Sequence, residues 1–270
     1  MLAGYRHIDT AEGYQNEAGV GQGIKAGLTA AGLARKDIFV TTKVWPGNAA
    51  WGDAPKTYEG IMAAFAKSLA ALELDYLDLY LIHAPSGGTE RLNEWRALVD
   101  LKSQGKIRAI GVSNFTEAHI GEIKAAGLPL PAANQIELHP WSQKPDLVAY
   151  LADNGIAPIA YSSLVPLSTW RAKDGQESAK TEEMKAAGAE AASPFKAMAA
   201  KYGVTEAQLL LRWGVQKGFA VLPKTMDPAR MRENLDIFVF AIDANDMRAI
   251  ETMDLGDGVA WPSGDPRHLG

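Results

Sequence analysis

The sequence predicts an α/β barrel of the (β/α)8, or TIM, type, formed by a single domain over residues 1–270. Short β-rich runs alternate with longer helical patterns along the chain, and titratable residues stand at the ends of three successive predicted strands. Alternation of strands and helices with short connections is typical of a parallel sheet. A chain of 270 residues fits one barrel of this type, and no linker or block of charge divides it.

The strands are marked by β-branched and aromatic residues, and the helices by apolar residues three and four positions apart. The predicted strands are Tyr5–Asp9, Ile38–Lys43, Leu77–His83, Ile107–Val112, Ala133–Glu137, Ala157–Tyr161 and Ala220–Leu222. The predicted helices are Glu17–Leu33, Tyr58–Leu72, Leu92–Lys102, Glu117–Ala126, Pro145–Asn154, Pro194–Tyr202, Thr205–Gln216, Pro228–Asn234 and Asp246–Met253. The segment Val165–Ser193 departs from the alternation because it is long, polar and mixed, and we expect a lid or an insertion there.

Composition limits the partners of the protein. The net charge is −5 and no basic stripe stands out, so we expect neither a nucleic acid nor a membrane surface as a partner. The absence of cysteine excludes disulfides and thiol nucleophiles. The sequence contains no apolar run of the ~18 residues that a membrane span needs, and its start lacks the apolar core of a secretory signal. We therefore expect a cytoplasmic protein that acts on a small molecule as a monomer or weak oligomer.

An open doubly wound sheet shares this alternation and usually binds a nucleotide through a glycine-rich turn directly after a strand. The nearest match is GVGQG at positions 19–23, which lacks the spacing of the third glycine and lies inside a helical pattern. We interpret this run as a helix whose small residues allow it to pack close to the sheet.

Three titratable residues stand at the carboxyl ends of successive strands: Asp9, Lys43 and His83. That face of a barrel carries the active site, because strand ends are rigid while the loops that follow them vary. A buried lysine is costly unless it is paired, and Asp9 is an available partner. We therefore expect the three side chains to form one site.

Tyr14 lies in the loop after the Asp9 strand. A fixed ammonium group at Lys43 favours the phenolate form of a nearby tyrosine, so Tyr14 can donate a proton to a developing alkoxide. His83 can hydrogen-bond the same oxygen and orient a carbonyl group. These residues therefore support carbonyl reduction by a cofactor that carries hydride.

Residues 4–11 (GYRHIDTA) and 14–17 (YQNE) resemble the first signature of the aldo-keto reductase superfamily. TKVW at 42–45 is similar to the lysine motif of that superfamily, and LIH at 81–83 to its histidine motif. The resemblance implies the (β/α)8 barrel and a catalytic role for Asp9, Tyr14, Lys43 and His83. It also implies that Trp45 is a wall of the substrate pocket.

Further motifs of the family follow in order along nearly the whole chain: GKIRAIGVSNF at 105–115, NQIE at 134–137, AYSSL at 160–164 and LPKT at 222–225. The resemblance implies that the cofactor is NADPH. It assigns the nicotinamide half to Ser113, Asn114, Gln135 and Tyr161, and the adenosine phosphate to Lys224, Thr225, Arg230, Glu233 and Asn234. It also implies that Ser162 and Leu164 contact the cofactor. Lys224 and Arg230 also follow the last strand, where barrels commonly bind phosphate. Because residues 165–193 follow Tyr161, we expect the lid to close over the dinucleotide.

The sequence departs from the family pattern at two places. Ala84 follows His83, where many relatives have tryptophan, which implies a changed pocket. The family normally begins with a hairpin, a first barrel strand and a first helix, and Met1 falls at the end of that helix. We therefore expect a barrel shortened by its first strand–helix unit.

The expected function is the reduction of an aldehyde, ketone or sugar-like carbonyl to an alcohol by hydride transfer from NADPH, with Tyr14 as proton donor. A non-catalytic cofactor-binding or regulatory protein of the same fold stays an alternative. Metal-assisted hydrolysis is a third interpretation, but it needs a cluster of metal ligands that the sequence does not offer. Several tryptophans could line a pocket, but most tryptophans are large, mostly buried side chains. We therefore favour a functional role for Trp45 and, more weakly, for Trp141, and none for Trp51.

Overall fold

A computed structural model describes residues 1–167, 194–256 and 265–269. The chain forms two compact units. Unit 1 comprises Met1–Asn134, Asn154–Ile156 and Arg267–Gly270, and unit 2 comprises Gln135–Asp153 and Ala157–Pro266. The single domain over residues 1–270 stays a prediction of the sequence.

Unit 1 contains four complete parallel strands, each followed by a helix. Its elements are β1 (His7–Asp9), α1 (Glu17–Ala31), β2 (Phe39–Val44), α2 (Tyr58–Ala71), β3 (Leu77–Ile82), α3 (Arg91–Ser103), β4 (Ile107–Ser113), α4 (Glu117–Ala125) and the first residues of β5 (Ala133–Glu137). The strands pair in chain order, with Asp9 opposite Thr41, Lys43 opposite Leu81, and Ile82 opposite Val112. The carboxyl ends of β1 to β4 therefore lie along one edge of the sheet.

Unit 2 continues the alternation. Its elements are the remainder of β5, α5 (Pro145–Asp153), β6 (Ala157–Tyr161), α6 (Pro194–Tyr202), α7 (Glu206–Gln216), β7 (Ala220–Val221), α8 (Pro228–Leu235) and α9 (Ala244–Glu251). β6 and β7 are parallel neighbours, with Ile159 opposite Ala220. None of the helices in the described residues is both long and apolar enough to cross a bilayer.

Strand β3 lies at the centre of unit 1, and all six of its side chains are buried. One of them is charged: the Asp78 carboxylate lies 2.7 Å from the Arg35 guanidinium and 3.0 Å from that of Arg108, and it accepts the N–H of Val40. A buried carboxylate requires such partners. Asp78 thus joins β2, β3 and β4 near their amino ends, opposite the edge that carries the predicted catalytic residues.

Two glycines permit close packing in unit 1. A Cβ at Gly111 of β4 would lie 2.6 Å from the carbonyl oxygen of Ala133, so only glycine fits beside the start of β5. A Cβ at Gly21 of α1 would lie 2.6 Å from the carbonyl oxygen of Leu72. The glycine-rich run at 19–23 is therefore helical, as predicted, and Gly21 lies against the end of α2.

The predicted strands are all present, with small differences at their ends. His83 and Leu222 lie just beyond β3 and β7, and β1 begins at His7 rather than Tyr5. Of the predicted lid Val165–Ser193, only Val165–Leu167 is described, as a turn of 3-10 helix, and the rest lies outside the described residues.

Candidate active site

The Lys43 ammonium group is fully buried near the end of β2. It forms a very short ion pair with the carboxylate of Asp9, the last residue of β1, and donates a 2.9 Å hydrogen bond to the carbonyl of Thr10. These contacts compensate for the removal of the charge from water. The two predicted residues are therefore brought together as expected, and they fix the ends of β1 and β2 to each other.

Tyr14 ends a turn of 3-10 helix, Glu12–Tyr14, that follows β1. Its side chain is about half exposed, whereas the Lys43 ammonium lies beneath it, 5.1 Å from the ring centroid. The ring meets the His83 imidazole edge to face, with 5.6 Å between centroids. The phenol is thus open to a small molecule on one side and close to a fixed positive charge on the other.

His83 follows the last residue of β3. Burial, and secondarily the positive charge of Lys43, lower the pKa of His83 to about 3. The ring is therefore neutral at physiological pH and carries one N–H donor and one acceptor nitrogen. Its Nδ1 is buried and has no hydrogen-bond partner among the described residues. A neutral imidazole in this position can donate to a carbonyl oxygen without adding a second cation to the site.

The loop that carries the tyrosine is anchored at both ends. The Thr10 hydroxyl donates a 2.6 Å hydrogen bond to the side chain of Asn16. The buried carboxylate of Glu17 accepts hydrogen bonds from the hydroxyl groups of Thr42 and Ser68, at 2.6 and 3.0 Å. These contacts connect the loop to β2 and α2, so the position of the phenol is set by the sheet beneath it.

Glu12 and Lys56 hold the backbone of Trp45 on both sides. Glu12 Oε2 accepts the Trp45 N–H at 2.9 Å, and the Lys56 ammonium donates to the Trp45 carbonyl at 2.5 Å. Glu12 and Lys56 also form an ion pair at 3.6 Å. Neither residue could be predicted from the sequence, because two residues 44 positions apart in different loops leave no periodic pattern that indicates a contact.

The indole of Trp45 stands beside the imidazole of His83, edge to face, with centroids 6.0 Å apart. The role of Trp45 as a wall of the substrate pocket stays a prediction. Trp51 stacks on Trp45, and its side chain is 59% exposed, so it is not one of the mostly buried tryptophans. Trp141, the weaker candidate, is buried in unit 2, where it contacts Phe195.

Two of the predicted cofactor residues lie beside His83 in unit 1. Ser113 is the last residue of β4, and Asn114 follows it in a left-handed backbone conformation, with φ of 62°. The Asn114 side-chain amide donates to the His83 carbonyl at 3.1 Å and to the Ser113 hydroxyl at 3.2 Å. Polar groups that can bind an amide therefore adjoin the predicted catalytic residues.

The other predicted cofactor residues belong to unit 2. Gln135 lies in β5 and Tyr161 ends β6, followed by Ser162 with φ of 57° and by Leu164. Lys224 and Thr225 follow β7, Arg230 and Glu233 lie on α8, and Asn234 is buried there. The Glu233 carboxylate accepts the hydroxyl of Thr205 at 2.6 Å.

Two exposed cations follow β7: Lys224 in the loop and Arg230 in the first turn of α8. No carboxylate lies within ion-pair distance of either one in the part of the chain that the structure describes. Asp227 caps α8 and accepts the N–H groups of Ala229 and Arg230, and the Thr225 hydroxyl accepts the N–H of Asp227. The carboxylate is directed at its own helix.

Two histidines other than His83 have hydrogen-bond partners in the structure. His7 hydrogen-bonds Thr41 at 2.9 Å, and His139 hydrogen-bonds Glu137 at 2.8 Å. Within residues 1–167, 194–256 and 265–269, no group of three or more His, Asp or Glu side chains could hold a metal ion. The described residues therefore offer no ligand set for metal-assisted hydrolysis.

A model of the aldo/keto reductase family matches residues 1–254. The chain belongs to this family. It is 40% identical to an uncharacterised oxidoreductase of Bacillus subtilis and 39% identical to the glyoxal reductase of the same organism; these matches cover 94% and 95% of the chain and 81% of each relative. The crystal structure of the Bombyx mori aldo-keto reductase in complex with NADP is similar, with a TM-score of 0.81 and 32% identity over 95% of this chain and 81% of that one. Membership confirms the predicted TIM-type α/β fold.

Proposed function

We propose that the protein is an NADPH-dependent reductase of small aldehydes, ketones and dicarbonyls, with Tyr14 as proton donor. The observation that carries this proposal is the buried Asp9–Lys43 pair beneath a half-exposed tyrosine whose ring contacts a neutral histidine. A chain 39% identical is a glyoxal reductase, which supports a small carbonyl substrate.

Each member of the site has one role in the proposed reaction. NADPH supplies the hydride when it is bound. His83 donates a hydrogen bond to the carbonyl oxygen and orients it. As negative charge develops on that oxygen, the Tyr14 hydroxyl transfers its proton to it. The Lys43 ammonium stabilises the phenolate that remains, and Asp9 keeps that ammonium in position and compensates for its burial.

The residues present fit the cofactor. The Asn114 amide and the Ser113 hydroxyl adjoin His83, where a nicotinamide carboxamide needs polar partners. We assign Gln135 and Tyr161 to the same half of the dinucleotide, and Ser162 and Leu164 to the cofactor without choosing a half. For the adenosine phosphate we assign the cations Lys224 and Arg230 together with Thr225, Glu233 and Asn234. A relative of similar structure has been crystallised with NADP, which supports this cofactor.

The test is the oxidation of NADPH, followed by absorbance, with glyoxal, methylglyoxal and an aromatic aldehyde as substrates. Tyr14→Phe removes the transferable proton and keeps the ring, so turnover falls roughly 10²–10⁴-fold while NADPH still binds. Tyr58→Phe is the matched control, because Tyr58 is a tyrosine on α2 whose hydroxyl bonds Asp100. A loss of less than threefold in Tyr14→Phe rules out Tyr14 as the acid. NADPH binding without turnover in the wild type identifies a non-catalytic member of the family.

A further inference from the structure

Trp51 presents most of a large aromatic side chain to solvent beside the candidate active site. It is 59% exposed, and its indole lies parallel to that of Trp45, with 5.7 Å between centroids and 9° between planes. A single exposed hydrophobic residue needs no explanation by itself. Trp51 differs because its indole stacks on that of Trp45, the proposed wall of the pocket, in a turn with a defined backbone.

The segment that carries Trp51 is tightly folded. Trp51 ends a turn of 3-10 helix, and the side chain of Asn48 caps this turn by accepting the Ala50 N–H at 3.0 Å. Gly52 adopts φ of 77°, which returns the chain so that Asn48 and Asp53 pair as an antiparallel bridge. Glycine is the residue that takes this left-handed conformation without strain.

The same turn also fixes the partner indole. The Asp53 carboxylate accepts the Trp45 Nε1–H at 2.7 Å, and the Trp45 backbone is held by Glu12 and Lys56. The Trp45 indole therefore keeps a defined orientation, and Trp51 stacks on it. Such preorganisation lowers the entropy lost when a flat ligand binds against them.

The aromatic rings form a continuous series that leads away from the reacting groups. Tyr14 contacts His83, His83 contacts Trp45, and Trp45 contacts Trp51, with neighbouring centroids 5.6, 6.0 and 5.7 Å apart. An extended substrate whose carbonyl group is held by Tyr14 and His83 can follow this series along Trp45 toward Trp51. A dicarbonyl of two or three carbons is too short to reach it.

We propose that Trp51, supported by Trp45, forms a subsite for a planar aromatic ring carried by the substrate beyond its carbonyl group. This inference rests on the proposed carbonyl reduction for the position of the carbonyl. Aromatic rings stack favourably on indole, and the gain exceeds that from burial of the same area. The subsite thus selects extended aryl aldehydes over aliphatic aldehydes with the same reacting group.

Cinnamaldehyde and crotonaldehyde test this selection, because they share a conjugated aldehyde and differ in a phenyl against a methyl group. In Trp51→Ala, kcat/KM for cinnamaldehyde falls roughly threefold to tenfold, mostly through KM, while that for crotonaldehyde stays within twofold. Trp51→Phe retains most of the preference. Phe238→Ala, which removes another exposed aromatic side chain, leaves both values unchanged. An equal change for both aldehydes, or no change in Trp51→Ala, overturns the subsite.

A second readout separates the subsite from the proposed reaction. Calorimetry with cinnamamide, which the enzyme does not reduce, measures ring binding without turnover in the presence of NADPH. Weaker binding to Trp51→Ala than to the wild type keeps the subsite even where neither aldehyde is reduced, and that result contradicts only the proposed function. Binding that does not depend on Trp51 contradicts the subsite whether or not the aldehydes are reduced.

Discussion

The carboxylate of Glu12 accepts a hydrogen bond from the backbone N–H of Trp45, with 2.9 Å between Oε2 and N. Glu12 begins the short 3-10 turn that ends at Tyr14, and Trp45 begins the loop after β2. One carboxylate therefore sets the distance between the proposed proton donor and the wall of the pocket. Lys56 adds a cation that contacts both the carboxylate and the Trp45 carbonyl.

Glu12→Ala breaks this connection without removing a group that touches the substrate. We expect kcat to fall about tenfold, because a misplaced donor raises the barrier by ~1.4 kcal/mol, while the binding of NADPH stays unchanged. Glu12→Gln keeps an oxygen that accepts the Trp45 N–H, so it loses less activity. Glu59→Ala, an acidic residue in the first turn of α2, is the control. Steady-state kinetics measure kcat for each variant. Values for Glu12→Ala and Glu12→Gln that both match the wild type contradict a positioning role for Glu12.

Glu94 is a fully buried carboxyl group of α3, and neither of its oxygens has a hydrogen-bond partner among the described residues. Burial raises the pKa of Glu94 to about 8, against a lowering influence of Arg91. Gly87 packs directly on it, since a Cβ there would overlap the carboxyl group. The folded protein therefore keeps a proton on Glu94 that the unfolded chain releases at much lower pH.

The free energy of unfolding should consequently fall as the pH rises from about 4.5 toward 8, where the folded state binds more protons than the unfolded state. Glu94→Gln removes this dependence. We expect the variant and the wild type to be similar in stability at pH 5 and the variant to be more stable above pH 8, by on the order of 3 kcal/mol. Urea unfolding across this pH range measures the difference. Parallel curves for the two proteins contradict the raised pKa.

His83 has the opposite behaviour. Because burial and the charge of Lys43 lower its pKa to about 3, the folded state resists protonation that the unfolded chain accepts below about 6.5. The free energy of unfolding of the wild type therefore decreases as the pH falls from about 6.5 toward 3, because the folded state keeps the ring neutral. The free energy of unfolding of His83→Gln decreases less over that range. Nitrogen-15 NMR of the imidazole should show a neutral ring at pH 5. A charged His83 ring at pH 5 contradicts this prediction.

Much of the fold and the positions of the proposed catalytic groups could be predicted from the sequence. Asp9, Lys43 and His83 end strands, and parallel strands place their carboxyl ends on one edge, so strand assignment alone brings the three together. The Lys43–Asp9 pair followed from the cost of a buried charge. Both predictions depend on the local pattern that marks a strand, together with the rule that a buried charge needs a partner.

The contacts between loops could not be predicted in this way. Glu12 meets Trp45 and Lys56, and Trp51 turns back onto Trp45, only because of left-handed and capped turns whose geometry the sequence pattern does not encode. Glu94 looked like an ordinary polar residue of a helix, and its burial depends on how the loop at Gly87 folds over it. Tertiary packing sets these positions, and the residues that pack together are far apart in the sequence.

The last prediction concerns the choice between NADPH and NADH. The 2′-phosphate of NADPH carries close to two negative charges near neutral pH, and each charge-assisted hydrogen bond to it contributes ~1.5–3 kcal/mol. Lys224 supplies a point charge and Arg230 a planar fork suited to phosphate oxygens. Both are exposed, and neither has a carboxylate partner within the described residues.

Asp227 is the group that could oppose this binding, but its carboxylate accepts two N–H groups at the start of α8 and is thereby directed at its own helix. We therefore expect tighter binding of NADPH than of NADH. Arg230→Ala reduces the preference roughly tenfold or more, and high salt reduces it in the wild type because exposed charges are screened. Arg232→Ala is the control, since residues two apart on a helix face different directions. Fluorescence titration of the wild type and both variants with each cofactor measures these affinities. Equal affinity of the wild type for NADPH and NADH rules out Lys224 and Arg230 as phosphate ligands.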